Sequence, residues 1–171
     1  ETQTKVRTKM NIILMGCEYV GKSTLAKKIG EWIIEKTGTA YVRWHDHFVL
    51  PQIDHHLVVR KGNDGSIVVP GENKEPITEV EEEQLLSLSP SLREQYHRYL
   101  IWRHLHPDIL VEEDYLLINF YYADAVYATL YYGFGEAGSF SDRRVRARAW
   151  DRELLNLAPD TLLVLVKASP E

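Results

Sequence analysis

Gly16-Cys17-Glu18-Tyr19-Val20-Gly21-Lys22-Ser23-Thr24 fits the pattern G-x-x-x-x-G-K-[ST]. Before it runs Met10-Asn11-Ile12-Ile13-Leu14-Met15, a short apolar stretch that reads as a buried strand. After it Leu25, Ile29, Trp32 and Ile33 recur at helical spacing until Gly38 provides a stop. Gly16 and Gly21 allow the backbone to curl so that successive amides point inward, at the oxygens of a phosphate. A helix starting at Lys22 adds its N-terminal N–H groups and dipole. In this pattern the lysine reaches the β- and γ-phosphates and the Ser23 hydroxyl ligates Mg²⁺. With glycine at about 7% of residues, a chance match in a chain of this length is on the order of 1%.

Beyond the motif, Ala40 to Trp44 is a second strand candidate, and strand, helix, strand in this order is a parallel crossover unit. Leu57-Val58-Val59 and Ile67-Val68-Val69 flank a glycine-containing turn and read as a hairpin, with a surface loop as the alternative. Glu79 to Glu83 open a helix, and Ser89-Pro90 starts another whose apolar side takes in Leu92, Tyr96, Tyr99, Leu100 and Trp102 to Leu105. Tyr115 to Ile118 is a third strand. Helices over about 122–132 and 142–157 follow, and Thr161 to Val166 reads as a parallel strand buried on both faces. The class is α/β.

Composition narrows the function. The 171 residues carry 20 basic and 25 acidic side chains, net −5, so the basic surplus of a general nucleic-acid binder is missing. The longest nearly uncharged run, Tyr115 to Gly135, is interrupted by Asp124 and rich in tyrosine, which argues against a membrane span. One cysteine, Cys17, rules out an internal disulfide and a thiolate zinc cluster. The sequence opens at Glu1 without a leader pattern and stops soon after an apolar run. It is therefore expected to be an excerpt of a longer protein.

The nonapeptide resembles the Walker A loop of P-loop nucleoside triphosphate enzymes. The chain as a whole is similar to the nucleoside and nucleotide kinases, thymidylate kinase in particular. Asn119-Phe120-Tyr121 and the residues that follow sit after the third strand, where that family has D-R-Y running into a helix. Pro159-Asp160-Thr161 to Val166, then Ser169-Pro170-Glu171, is similar to the family's fourth strand and its P-E. The resemblance implies one three-layer P-loop domain over residues 1–171, with a mostly parallel central sheet. An arginine-bearing lid and a last strand would lie beyond Glu171. Members of the family are commonly dimers, which leaves a homodimer open. Asn119 and Phe120 replace the family's Asp and Arg, so neither that carboxylate nor that guanidinium is available.

Candidate site residues follow. Gly16 to Thr24 form the nucleotide loop, with Lys22 on the phosphates and Ser23 on the metal. Asp46, between His45 and His47 at the end of the second strand, matches a carboxylate that in resembling kinases acts as base on the acceptor hydroxyl. The alternative is an Asp capping a turn. Asp124, one turn along a helix, is the second carboxylate. Arg98 or Arg103 corresponds to an arginine for the acceptor phosphate, unless it forms a surface ion pair with Glu94 or Asp108. Arg143 to Arg152 offers further cations, most of them expected on a solvated face. Phe48 and Tyr121 are the candidates for base contact. His45, His47, Asp54, His55 and His56 lack a standard zinc spacing. Cys17 sits in the phosphate loop near a helix N-terminus, without a catalytic role.

These readings converge on Mg·ATP-dependent phosphoryl transfer to a small acceptor, a nucleoside or nucleoside monophosphate, in the cytoplasm. The alternatives are a small-metabolite kinase acting on a sugar or alcohol, and a nucleotide-binding regulatory module that has lost transfer. The second rests on Asn119-Phe120.

Overall fold

Ile12 and Leu14 point to one face of their strand and Ile13 to the other, and each face meets its own buried cluster. That alternation, set by the twofold repeat of an extended chain, makes three layers from one central strand. The computed structural model describes residues 9–46, 57–61, 67–68, 78–111 and 114–169. Its elements run β1 (Asn11–Met15), α1 (Lys22–Thr37), β2 (Tyr41–Asp46), β3 (Leu57–Lys61), β4 (Ile67–Val68), α2 (Glu79–Leu86), α3 (Pro90–His104) and α4 (Pro107–Leu110). There follow β5 (Tyr115–Ile118), α5 (Phe120–Tyr127), a π-helical turn (Ala128–Tyr132), α6 (Arg143–Leu157) and β6 (Leu162–Leu165).

The strand order is β4-β3-β2-β5-β1-β6. β2, β5, β1 and β6 are mutually parallel, while β3 and β4 extend the β2 side as an antiparallel hairpin. Ala26, Ile33 and Ile34 of α1 cover Ile12, Leu14, Leu116 and Ile118 on one face. On the other face, Ile101, Phe120, Tyr121, Trp150 and Leu154 of α3, α5 and α6 pack against Ile13, Tyr115 and Leu117. Local chemistry sets the helix starts. Thr78 and Glu81 form a reciprocal capping box on α2, and the Asp142 carboxylate accepts from Arg144 N and Val145 N to open α6.

Three expectations need correction. β6 is not buried on both faces: β1 is its only neighbour among the described residues, and Leu162, Leu163 and Leu165 are about half exposed. Trp32 lies on the solvent side of α1, because the helix buries the stripe Ala26, Gly30, Ile33 and Ile34 instead. On α3 the broad apolar side is also rotated. Leu92, Tyr99 and Trp102 are exposed, and the buried stripe is Glu94, His97, Ile101 and His104.

That stripe explains why Asp124 and Arg143 do not serve the site expected for them. Arg143 is 1% exposed. Its Nη1 donates to Glu94 Oε1 at 3.1 Å, and its Nε lies 3.4 Å from Asp124 Oδ2 in an ionic contact without hydrogen-bond geometry. The other Asp124 oxygen faces His97 Nδ1 at 3.4 Å. Phe134 and Trp150 flank the guanidinium at 4.8 and 5.4 Å from their ring centres. Burial pulls the guanidinium pKa below its ordinary value, and the two carboxylates oppose that pull. Asp124 is therefore one wall of an ion cluster joining α3, α5 and α6. The stripe of five arginines is amphipathic, with Arg143 inside and Arg144 and Arg148 exposed.

Removing one partner of a buried pair leaves a charge without compensation. Arg143→Ala is expected to cost about 3–5 kcal/mol of stability in urea denaturation. Arg143→Lys is expected to recover only part of that, because an ammonium lacks the planar fork that spans two carboxylates.

Candidate functional site

Three chain segments end at the same edge of the sheet. β1 runs into the glycine loop, β2 ends at Asp46 and β5 leads directly into Asn119, with Asp46 in register with Ile118. The helix that follows β1 packs on one face, and those that follow β5 pack on the other. Such diverging connections leave a crevice outside the carboxyl ends of the strands. A cleft of about 430 Å³ opens there, lined by Glu18, Tyr19, Gly21, Lys22, Ser23, Thr24, Asp46 and Asn119.

The glycines of the loop are needed for different reasons. Gly21 has φ 86° at the N-cap of α1, a left-handed conformation that a side chain resists. At Gly16 the constraint is contact: a Cβ there would sit 2.6 Å from the carbonyl oxygen of Val166. The Val166 N–H also donates to Met15 O at 2.7 Å, so the end of β6 is held against the start of the loop. Lys22 is buried at the first turn of α1, and its Nζ donates to the carbonyl oxygens of Gly16, at 2.9 Å, and Cys17. The ammonium is thereby kept over the curl of the loop.

Across the cleft, Asn119 Nδ2 donates to Asp46 Oδ1 at 3.2 Å. Asn119 has φ 66° with ψ −52°, and Phe120 has φ 45°, two successive residues with positive φ. The Asn119 conformation lies outside the left-handed helical well that asparagine tolerates, and for a bulky aromatic a positive φ is itself an outlier. Phe120 is held there by burial, at 1% exposure in the core, and the Asn119 N–H donates to Leu14 O at 2.7 Å. Strained backbone of this kind persists where the surrounding packing over-determines it, and it concentrates at functional sites. Here its result is to aim the Asn119 amide at Asp46.

The sequence expectations divide accordingly. Lys22, Ser23, Thr24 and Asp46 share one cleft. Cys17 and Val20 line a neighbouring apolar cavity of about 720 Å³ bounded by α5 and by Leu165 to Ala168, with Asn119 shared between the two. Arg98 pairs with Glu94 at 3.4 Å, the ion pair that was the alternative reading for it. Neither Arg98 nor Arg103 lines the cleft. Phe48 lies outside the described residues, as do His47, Asp54, His55 and His56. His45 is buried and stacks on His104 with ring centres 4.6 Å apart. Among the described residues no cluster of three or more His, Cys, Asp or Glu is arranged to hold a metal ion. The pairing of Asn119 with Asp46, 73 residues apart, had no signal in the sequence.

Tyr121 is corrected from base contact to core. It is fully buried and packs on Trp150, and its hydroxyl donates to Asp151 Oδ1 at 2.8 Å. Tyr122 donates to the same oxygen at 2.7 Å. Burial pushes the Tyr122 phenol up to about 12, with Asp151 adding to the rise, and burial pushes Tyr121 higher still.

No family model and no curated protein matches the sequence. Among solved structures, thymidylate kinase from Ehrlichia chaffeensis aligns with a TM-score of 0.46 at 13% identity, over 95% of this chain and 90% of that one. Among the described residues no helix is long and apolar enough to cross a membrane.

The raised phenol pKa values set a pH dependence. A folded pKa above the unfolded value of 10.0 means that the folded state holds its proton more tightly. That stability is complete below pH 10 and is lost as pH rises through about 12. Urea denaturation from pH 9 upward is expected to show this decline, and Asp151→Ala to make it shallower. At pH 7 that variant is expected to cost about 1–3 kcal/mol, the penalty of the hydroxyls of buried Tyr121 and partly buried Tyr122 losing their acceptor.

Proposed function

We propose that this chain binds Mg·ATP at Gly16 to Thr24 and transfers the γ-phosphoryl group to a small acceptor held beside Asp46. The observation that carries the reading is the Asp46–Asn119 pair, fixed across one cleft from Lys22 and Ser23. A curled glycine loop alone is a phosphate cradle. A carboxylate positioned opposite it is what transfer to a hydroxyl requires.

Each residue has a role its position supports. The loop amides and the first turn of α1 neutralise phosphate charge. Lys22, which hydrogen-bonds loop carbonyls, would place its ammonium on the β- and γ-oxygens. Ser23 supplies a hydroxyl ligand for the metal, and the carboxylate of Asp46 on the same cleft suits that cation too. Magnesium, when bound, neutralises the charge that develops on the transferring phosphoryl group. Asp46 accepts the proton of the attacking hydroxyl as the new O–P bond forms and the bond to the β-phosphate oxygen breaks. Asn119 holds one Asp46 oxygen by its amide and so fixes which lone pair faces the acceptor.

The resemblance read from the sequence makes that acceptor a nucleoside or nucleoside monophosphate. Within that pair the cleft favours a hydroxyl acceptor, since Asp46 lines it and, among the described lining residues, no arginine does. A phosphate acceptor calls for cationic positioning rather than a base. The rival reading is a regulatory module that binds the nucleotide and transfers nothing.

Consumption of Mg·ATP by the full-length protein across nucleosides, nucleoside monophosphates and sugars tests this. Turnover with one acceptor class is expected, abolished by Lys22→Ala. Asp46→Asn is expected to reduce kcat by about 10²–10⁴-fold, a far larger effect than on ATP affinity. Saturable ATP binding without any acceptor-dependent turnover would replace the reading with the regulatory module.

A further inference from the structure

Tyr19 stands at the rim of the glycine loop with φ 62°, and it is 100% exposed. Its ring contributes no packing to the fold. Its backbone adopts a conformation that glycine takes without cost and an aromatic residue resists. A backbone held in a strained conformation that no packing of its own side chain explains points to a functional contact. Its place in the loop narrows which ligand. Glu18 and Tyr19 border the cleft shared with Asp46 and Asn119, whereas Cys17 and Val20 border a neighbouring apolar cavity that Asn119 also lines. Tyr19 is the one aromatic side chain among the described residues of that cleft.

From this placement we infer that Tyr19 is a specificity residue for the acceptor: its ring stacks on a flat heterocyclic base while Asp46 addresses the hydroxyl of the same molecule. This rests on the transfer reading above and sharpens it. A nucleoside carries both features, a planar base and a hydroxyl on a short rigid sugar. A free sugar or simple alcohol offers the hydroxyl and nothing for the ring. Base–aromatic stacking is worth about tenfold to a hundredfold in affinity per base, and it tolerates different bases because every base has a π-face. Tyr19 therefore selects for nucleosides as a class and does not by itself discriminate among bases.

The test separates binding from transfer. Thymidine and adenosine, with ribose and glycerol as base-free probes, are titrated calorimetrically into the full-length protein saturated with Mg·ADP. The wild type is expected to bind both nucleosides and to bind ribose at least tenfold more weakly. Tyr19→Leu is expected to lose about tenfold to a hundredfold in nucleoside affinity, with Tyr19→Phe restoring it, a larger loss than either variant causes in Mg·ADP affinity. Tyr19→Gly is expected to show the same loss with a melting temperature no lower than the wild type, which separates ligand contact from folding. The inference fails if neither nucleoside binds, if ribose binds equally well, or if Tyr19→Leu leaves nucleoside affinity unchanged or weakens Mg·ADP to the same degree. Tyr19-dependent nucleoside binding in a protein that transfers nothing would instead sink the transfer reading and overturn the acceptor role, leaving Tyr19 a residue that binds nucleosides only. Turnover of glycerol or ribose unaffected by Tyr19→Leu would overturn this inference and leave the transfer reading standing.

Discussion

β5 enters the sheet between β1 and β2, and most of the candidate site depends on that insertion. It is hydrogen-bonded to both neighbours in parallel register, Asn11 opposite Tyr115 on one side and Asp46 opposite Ile118 on the other. A four-residue strand buried on every side has no freedom to adjust at its end. The chain must therefore turn abruptly at Asn119 and Phe120, both with positive φ, to start α5 on the far face. That turn brings a side-chain amide to the carboxylate that ends β2. The glycine loop that ends β1 is then the third side of one cleft.

The same turn alters the meaning of an apparent defect. Measured against the resembling kinases, asparagine at position 119 has lost a negative charge. In the folded chain it is a donor rather than a second acceptor, and it sits 3.2 Å from Asp46. An aspartate there would face Asp46 as a like charge, and the pair would need a cation or a proton between them. Asparagine leaves one carboxylate, held and oriented by a neutral amide.

Charge is handled differently behind the sheet. Glu94, Asp124 and Arg143, with His97 beside them, lie in a region closed by Phe134, Tyr132 and Trp150. Such a cluster is weak as a source of net stability, because desolvation offsets most of the attraction. It is strong as a fastening, since displacing any helix of α3, α5 or α6 strands a charge in an apolar setting. The cluster fixes the helices behind β5 and holds Asp124 away from the cleft.

Residues close in sequence specified their own local structure well. The apolar run, the spaced glycines and the helical period at Lys22 to Ile33 announced strand, loop and helix, because each depends on backbone conformation and on neighbours within one turn. Tyr115 to Ile118 and the helix ending at Leu157 were equally readable, as was Asp46 at the end of its strand. What a side chain meets across the fold was decided by packing. Arg143 and Arg148 share one helix and one composition, yet one is sealed between rings and the other is solvated, because only the first faces Glu94. Asp124 looked as available as Asp46 until three helices closed on it. Asn119 looked like a loss until a contact spanning 73 residues gave it a partner. Local chemistry is written in adjacent residues, whereas burial and pairing arise when the sheet brings distant segments to one edge.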